Sequence, residues 1–209
     1  MGVFIKQNNE LVNVGASCKV EVVTDTLALR LNQNQNYTYS SEDVVFLPMN
    51  AFHSDKKITE VNLPNAVSDV GQHYIFYNCT SLTKVSLAKL ASAGASIFSA
   101  CSNLTDVNLP KIVTIDDNDF SSCTSLQHIS LPKVTTIRYN SFSGCSSLVD
   151  ITLGANQVCY LFNTNAIPQK SPAVIIYVPT PTLVNSYKTA TNWSTLYNNG
   201  YVDFQLIPV

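Results

Sequence analysis

The chain has 209 residues, and its 12 Lys+Arg and 14 Asp+Glu give a formal net charge of −2. Charged residues make up 12% of the sequence, about half the usual share, while the hydrophobic share of 45% is ordinary. This near-neutral balance excludes a strongly basic nucleic-acid binder. No apolar run reaches the roughly 18 residues that a membrane span needs, so no transmembrane segment is predicted.

Residues 1–50 are predicted to form a β-rich N-terminal cap or small domain. Apolar and polar residues alternate at 20–22 and 27–31, which is typical of strands. Residues 1–6 lack the charged and apolar regions of a secretory signal. We therefore expect either a cytosolic protein or a chain from which a targeting segment has been removed.

Residues 51–179 contain an internal repeat with a 22-residue period. Cysteine recurs at this interval, with phenylalanine three residues before it and leucine three residues after it. The cysteines are Cys79, Cys101, Cys123 and Cys145; the phenylalanines are Phe76, Phe98, Phe120 and Phe142; the leucines are Leu82, Leu104, Leu126 and Leu148. An earlier copy contains Phe52 and Ile58, with Asp55 in the cysteine position. Self-similarity at a fixed period of this length indicates a solenoid.

Each copy of the repeat predicts one short strand with a single buried face. Apolar residues alternate with polar ones just after the leucine, as in Ile129–Ser130–Leu131. Proline ends the strand in several copies because it fixes φ and has no N–H group. One coil cannot bury these residues alone, so neighbouring coils must stack. Stacking places the strands side by side in a parallel sheet of about six short strands.

The end of the chain, residues 180–209, is predicted to cap the stack with a helix and a strand. Thr180 followed by Pro181 is typical of a helix N-cap and its first residue. Leu183, Val184 and Tyr187 would then share one helical face. Val202, Phe204 and Leu206 alternate as in a final strand.

These patterns predict a β-dominated α/β solenoid, and they resemble the BspA-like (Treponema-type) leucine-rich repeat family. The resemblance is carried by residues 126–137, by residues 141–148 and by the ending at residues 176–193. It implies a right-handed leucine-rich repeat coil capped at both ends. It also implies a bacterial surface protein built for attachment and protein contact.

The periodic cysteines are interpreted as free thiols buried inside the coil. None of the cysteines form pairs at the close spacing usual for zinc ligands. Stacked coils bring the periodic cysteines within about 5 Å of one another, which does not forbid a disulfide. Parallel Cβ vectors, however, give a poor bridge geometry. Cys18 and Cys159 lie off the period and would pair only if the N-terminal cap reached that coil.

No catalytic motif is found, so no enzymatic activity, cofactor or metal is predicted. His53, His73 and His128 share no local motif with a nucleophile or acid, and the chain has no Gly-rich phosphate loop. Asp116, Asp117 and Asp119 are expected to lie in a solvated loop, because a calcium loop needs more ligands and a turning glycine.

The exposed face of the sheet is the candidate binding surface, which we call the polar face. Strand alternation directs two rows of side chains outward. The first row contains Glu60, Lys84, Asp106, His128 and Asp150; the second contains Asn62, Ser86, Asn108, Ser130 and Thr152. His128 lies between two aspartates, and its protonation is expected to make partner binding vary between about pH 5 and pH 7. The alternating charges could equally serve only to fix the strand register.

We predict a non-enzymatic, adhesion-type module, secreted or displayed on a bacterial surface, that binds a protein partner through the polar face. A structural spacer without a specific ligand is one alternative. A carbohydrate-binding module is another, less favoured because sugar binding requires exposed aromatic residues and the two rows have none. The partner, whether a host or a cell-surface protein, and the oligomeric state are left open.

Overall fold

The computed structural model describes residues 46–47, 49–68 and 71–208 with their side chains, and the backbone of five strands nearer the N-terminus. Those strands are β1 (Val3–Gln7), β2 (Glu10–Gly15), β3 (Lys19–Val23), β4 (Thr26–Arg30) and β5 (Thr38–Ser40). Strands β1 and β2 form one antiparallel pair, and β3 and β4 form another. Cys18 lies outside the described residues, so the condition for its pairing with Cys159 is left open.

The remaining elements follow the repeat. They are β6 (Glu60–Asn62), β7 (Lys84–Ser86), β8 (Asp106–Asn108), β9 (Thr114–Ile115), β10 (His128–Leu131), β11 (Thr136–Ile137), β12 (Asp150–Leu153), β13 (Tyr160–Leu161), β14 (Val174–Val178), α1 (Pro181–Thr189), α2 (Trp193–Asn198) and β15 (Val202–Leu206), with a short 3-10 helix at Thr164–Ala166. The main sheet has the order β15-β14-β12-β10-β8-β7-β6-β5. All its neighbouring strands are parallel.

The predicted β-dominated solenoid is confirmed, and its sheet is wider than expected. Strands β6, β7, β8, β10, β12 and β14 are the six predicted from the repeat. The sheet has eight strands in all. Strand β5 extends it at one edge and β15 at the other, because each continues the parallel register of its neighbour.

The core is one continuous cluster running through all the described coils. The predicted inward positions are buried in nearly every coil, as at Val85 and Ile151, each 0% exposed. Val107 is the exception, since it is only half-buried. Its strand, β8, pairs with β10 through a single residue pair, Asn108 with Ser130. The sheet is therefore most weakly joined between β8 and β10.

Phenylalanine and cysteine form two internal columns along the coil. Consecutive phenyl rings from Phe52 to Phe142 are stacked, with centroids 4.8, 5.4, 5.2 and 5.3 Å apart. Each periodic thiol donates a hydrogen bond to the phenylalanine carbonyl of the preceding coil, as from Cys101 Sγ to Phe76 O at 3.0 Å. The residue types that define the repeat are thus those that join one coil to the next.

The turns beside these columns repeat an unusual backbone conformation. Two residues per coil, four positions apart, have φ between 55° and 77°. They are Asn50 and Ser54, Tyr74 and Asn78, Ser96 and Ala100, Asn118 and Ser122, and Asn140 and Gly144. This left-handed conformation costs a non-glycine residue about 1–2 kcal/mol. It is offset by hydrogen bonds between coils, such as Phe98 N to Asp119 O at 2.9 Å and Ala100 N to Ser121 O at 2.7 Å.

A second, three-stranded parallel sheet lies on another side of the coil, in the order β13-β11-β9. Thr136 of β11 is in register with Thr114 on one side and Tyr160 on the other. Ile115, Ile137 and Leu161, the next residues of the three strands, are buried in the core. The residues on either side of them point away from the core.

The predicted C-terminal helix is present and capped as expected. Thr180 Oγ1 accepts a hydrogen bond from Leu183 N at 3.3 Å, and Pro181 is the first helical residue. Tyr187 and Trp193 pack edge to face, and the indole Nε1 donates to Cys159 O at 2.7 Å. The final strand is also present, but Leu206 is 47% exposed instead of buried.

Candidate functional site

The ten predicted residues of the polar face lie on one face of the main sheet, in two rows. In the second row all five residues are in register, from Asn62 through Ser86, Asn108 and Ser130 to Thr152. The first row is in register from Glu60 through Lys84 to Asp106, and again from His128 to Asp150. The weak junction of β8 and β10 separates these two groups.

Side chains of neighbouring strands pair across the polar face. Lys84 Nζ lies 3.1 Å from Asp106 Oδ2, and this hydrogen bond raises the pKa of Lys84. His128 Nδ1 lies 2.6 Å from Asp150 Oδ2. In the second row, Asn108 Nδ2 donates to Ser86 Oγ at 2.9 Å.

The first three full coils form a shallow concavity of about 700 Å³ on this face. It is lined by side chains of both rows, among them Glu60, Lys84, Asp106 and Asn108. Half-buried Val107 supplies an apolar patch in its floor. The concavity therefore combines charged, amide and apolar groups.

The polar face extends two strands beyond the predicted residues. Asp150 is in register with Ile175 and Thr152 with Tyr177, and those residues are in register with Asp203 and Gln205. The predicted rows ended at Asp150 and Thr152, although β14 is the sixth predicted strand and pairs with β12. Alternation in β15 was visible, but it did not by itself show that β15 pairs with β14.

The predicted solvated loop of acidic residues is wrong for Asp119, which is 2% exposed. Its carboxyl group accepts hydrogen bonds from Asp116 N at 2.6 Å and Ile97 N at 3.2 Å. Burial raises the pKa of Asp119 to about 8, although these two N–H donors act in the opposite direction. Asp119 thus joins neighbouring coils internally. The sequence pattern did not reveal that two backbone N–H groups lie within hydrogen-bonding distance of its carboxyl group.

Asp116 and Asp117 do reach the surface, where both contact Arg138. Arg138 Nε lies 2.9 Å from Asp116 Oδ1 and 3.1 Å from Asp117 Oδ1. The hydrogen bond with Asp117 raises the pKa of Arg138. The acidic group is therefore engaged in a structural ion-pair network.

His128 lies on the polar face, whereas His53 and His73 both lie beside the ring of Tyr74, at centroid distances of 6.5 and 6.0 Å. His73 Nδ1 accepts a hydrogen bond from Ala95 N at 2.8 Å, while the ring of His53 stacks on Tyr77 with centroids 5.0 Å apart. Within residues 46–47, 49–68 and 71–208, no three His, Cys, Asp or Glu side chains are grouped as metal ligands. Over that same part of the chain, no helix has the length and apolar character of a membrane span.

The buried thiols are chemically protected. Burial raises the pKa of Cys145 and of Cys159 to about 12, and raises the pKa of Cys101 and Cys123 well above the ordinary value. A thiol must ionise to act as a nucleophile or metal ligand. These cysteines therefore contribute to packing and hydrogen bonding, not to chemistry at a site.

The model of the BspA type leucine rich repeat region matches residues 45–166, in six copies. The chain belongs to the BspA-type leucine-rich repeat family. The family match supports a repeat-type protein-interaction module, since repeat solenoids of this kind present extended surfaces to other proteins.

Solved structures similar to this BspA-type protein are bacterial leucine-rich repeat proteins. One from Bacteroides ovatus is 21% identical, with a TM-score of 0.50, over 81% of this chain and 47% of that chain. This chain thus spans about half of the Bacteroides protein's length. The likeness shows the fold.

Two further structures are more distant. A leucine-rich repeat protein of T. pallidum, TpLRR, is 17% identical, with a TM-score of 0.43, over 92% of this chain and 97% of that chain. The pneumococcal vaccine antigen PcpA is 16% identical, with a TM-score of 0.43, over 81% of this chain and 46% of that chain. A search of curated proteins returned no match to this BspA-type chain.

Proposed function

We propose that this chain is a non-enzymatic, adhesion-type module that binds a protein partner through the polar face. The observation that carries the proposal is the in-register arrangement of exposed polar side chains over neighbouring strands, with a concavity of about 700 Å³ among them. Such a surface offers hydrogen bonds and paired charges at fixed positions, which gives specificity to a protein contact.

Secretion or display on a bacterial surface is part of the same proposal. It is supported by membership of the BspA-type family, which resembles bacterial surface proteins. Antibody labelling of intact and permeabilised cells of the source bacterium tests this location. Labelling of intact cells is expected, and labelling confined to permeabilised cells would overturn this part of the proposal.

The binding proposal is tested by exchanging one ion pair. The double variant Lys84→Glu/Asp106→Lys keeps opposite charges at the two positions, whose side chains lie 3.1 Å apart in the wild type, but inverts the charge pattern that a partner meets. Proteins retained by the immobilised wild-type chain are identified, and their affinities for each variant are measured by surface plasmon resonance. A partner of the polar face is expected to bind the exchanged variant at least about tenfold more weakly.

Lys111→Glu is the matched control, because Lys111 is exposed and lies outside both rows. It is expected to leave the affinity unchanged. Equal binding by the wild type and the exchanged variant would show that the polar face is not the contact. That result would favour the structural spacer or another surface.

A further inference from the structure

The structure places an exposed aromatic cluster away from the polar face. Tyr139, Tyr160 and Phe162, which we call the aromatic platform, surround the outer side of the second sheet. Tyr160 is 58% exposed and Tyr139 is 43% exposed. Phe162 is half-buried. Tyr160 is the most exposed of the large hydrophobic side chains in the described part of the chain, and exposed apolar patches mark contact sites.

Strand alternation explains why two of these rings point outward. Tyr160 and Phe162 flank Leu161, which is buried with 1% exposure. Because successive side chains of a strand point to opposite faces, burial of Leu161 directs both neighbours away from the core. Tyr160 is held in register beside Thr136 by the parallel pairing of β11 and β13.

The aromatic platform is ordered by contacts among its own side chains. The Phe162 ring lies edge to face with Tyr139 and with Tyr160, at centroid distances of 5.2 and 5.0 Å. The guanidinium of Arg138 lies 4.7 Å from the centre of the Phe162 ring. Asp117 Oδ1 also accepts a hydrogen bond from Tyr139 N at 3.1 Å. A surface fixed in this way loses little conformational entropy on binding.

A groove of about 630 Å³, lined by both polar and apolar side chains, includes residues that closely follow those of the aromatic platform in the chain. One wall starts at Asn140, directly after Tyr139, and the other includes Asn165, three residues after Phe162. Gln169 adds a third amide to its lining, together with the hydroxyls of Ser143 and Ser146. The volume lies within the range usual for small-ligand sites.

We propose that the aromatic platform and the adjoining groove bind a neutral oligosaccharide. The C–H face of a sugar ring stacks on a tyrosine ring, while hydroxyls of the next sugar pair with amides and hydroxyls of the groove. This combination of flat apolar rings and uncharged hydrogen-bonding groups matches the amphipathic surface of a sugar chain.

The charges beside the aromatic platform favour a neutral ligand over an anionic one. Arg138 is paired with both Asp116 and Asp117, so the immediate surroundings carry no net positive charge. The groove's cation, Lys170, already donates from Nζ to Ser146 O at 3.0 Å. The groove is lined by amides and hydroxyls together with the apolar side chains of Ile167, Pro168 and Pro172, and a sugar chain likewise has both polar and apolar surface.

Isothermal titration with cellohexaose, maltohexaose and chitohexaose tests this proposal, with saturation-transfer NMR to show which sugar protons touch the protein. The wild type is expected to bind at least one of these probes. Tyr160→Ala and Tyr139→Ala are expected to weaken that binding about tenfold or more. Tyr160→Phe keeps the ring and is expected to retain affinity within a few-fold, and circular dichroism checks that each variant is folded.

Two controls separate this site from other surfaces. Tyr74→Ala removes a tyrosine that is 42% exposed in an earlier coil. The Lys84→Glu/Asp106→Lys exchange alters only the polar face. Both are expected to leave sugar binding unchanged, so the two proposals can fail independently.

Three results would overturn the proposal. The first is that none of the three probes binds at millimolar concentration. The second is an equal loss of affinity in Tyr74→Ala. The third is capture of a protein partner that depends on Tyr139 and Tyr160 without any sugar binding, which would make the aromatic platform a protein contact.

Discussion

The carboxyl group of Asp119 shows how a single side chain can connect neighbouring turns of the coil. It is buried against the phenyl column and accepts backbone N–H groups from Ile97 in the preceding coil and from Asp116 in its own. Without this acceptor, two N–H groups would lie in a low-dielectric interior unpaired, at a cost of about 1–3 kcal/mol each. The residue is therefore a structural acid whose ionisation is unfavourable.

Asp119 is predicted to make stability depend on pH. Its pKa is about 8 in the folded protein, against an ordinary value of 3.8. The folded state binds this proton more tightly than the unfolded chain does. The resulting contribution of Asp119 to the free energy of unfolding is therefore fully present below about pH 4 and is lost as the pH rises toward 8. Over that window the loss amounts to at most about 1.4 kcal/mol per pH unit.

Urea unfolding of the wild type and Asp119→Asn at pH 5 and pH 8 checks this prediction. The variant does not titrate at this position, so the difference in unfolding free energy between the two proteins isolates the carboxyl group. The wild type is expected to lose stability relative to the variant between these pH values. A difference that is the same at both would contradict the assigned pKa shift.

Among the elements, the column of stacked phenylalanine rings from Phe52 to Phe142, here called the phenyl column, links consecutive turns of the coil. Each inner ring has a stacked neighbour on both sides, and the rings from Phe76 to Phe142 are 0% exposed. Stacked rings at such separations add about 0.5–1.5 kcal/mol per pair beyond their burial. Backbone and thiol hydrogen bonds also connect consecutive coils beside these rings. Loss of one ring therefore weakens a contact between coils to which several interactions contribute.

Phe120→Ala is expected to lower the free energy of unfolding by about 3–5 kcal/mol. Phe120 stacks on Phe98 at 5.2 Å and on Phe142 at 5.3 Å, so the change leaves a cavity with two unsupported ring faces. Guanidinium-induced unfolding measures the loss. Val149→Ala is the control, since that side chain is 43% exposed and its truncation should change stability by less than about 0.5 kcal/mol. Equal effects of the two substitutions would refute the role given to the column.

The elements that could be predicted from the sequence are those built on the unbroken period. Alternation around Ile129 and Ile151 placed the two polar rows on the outer face of the sheet, because a residue beside a buried position faces outward; their role in binding stays a prediction. The aromatic platform could not be found in this way, since Tyr160 and Phe162 belong to a coil of irregular length. Their position depends on the pairing of β13 with β11, which is a contact between distant residues and leaves no local pattern.

For the whole molecule, the central question is whether the coil unfolds as one unit. The sheet is weakest between β8 and β10, where one residue pair joins the strands. The buried core nevertheless continues across this junction, through stacking of Phe98 on Phe120. This burial contributes more to stability than the ladder hydrogen bonds that further residue pairs between the two strands would add, each with a net value of about 1 kcal/mol. We therefore expect a single cooperative transition.

This expectation is tested by a substitution in an early coil whose effect is measured at the C-terminal end of the coil. Leu63 is 0% exposed, and Trp193, the single tryptophan of the chain, is buried beside the C-terminal helix. Leu63→Ala is expected to lower two unfolding midpoints by the same amount: the midpoint measured by far-ultraviolet circular dichroism and the midpoint measured by tryptophan fluorescence. A fluorescence midpoint that stays at the wild-type value would instead show that the chain divides at the weak junction.

The regular spacing of rings and thiols has a consequence for how such a chain can evolve. Tandem duplication of a full 22-residue unit would leave both columns intact, whereas a smaller insertion has to be absorbed between consecutive rings. The two additional residues between Phe52 and Phe76 are absorbed in this way, since those rings still stack at 4.8 Å, and the spacing from Ile151 to Ile176 is 25 residues. Lineages descended from this sequence should therefore differ mainly by whole units where the period is unbroken, and should collect small insertions and deletions mainly toward the two ends.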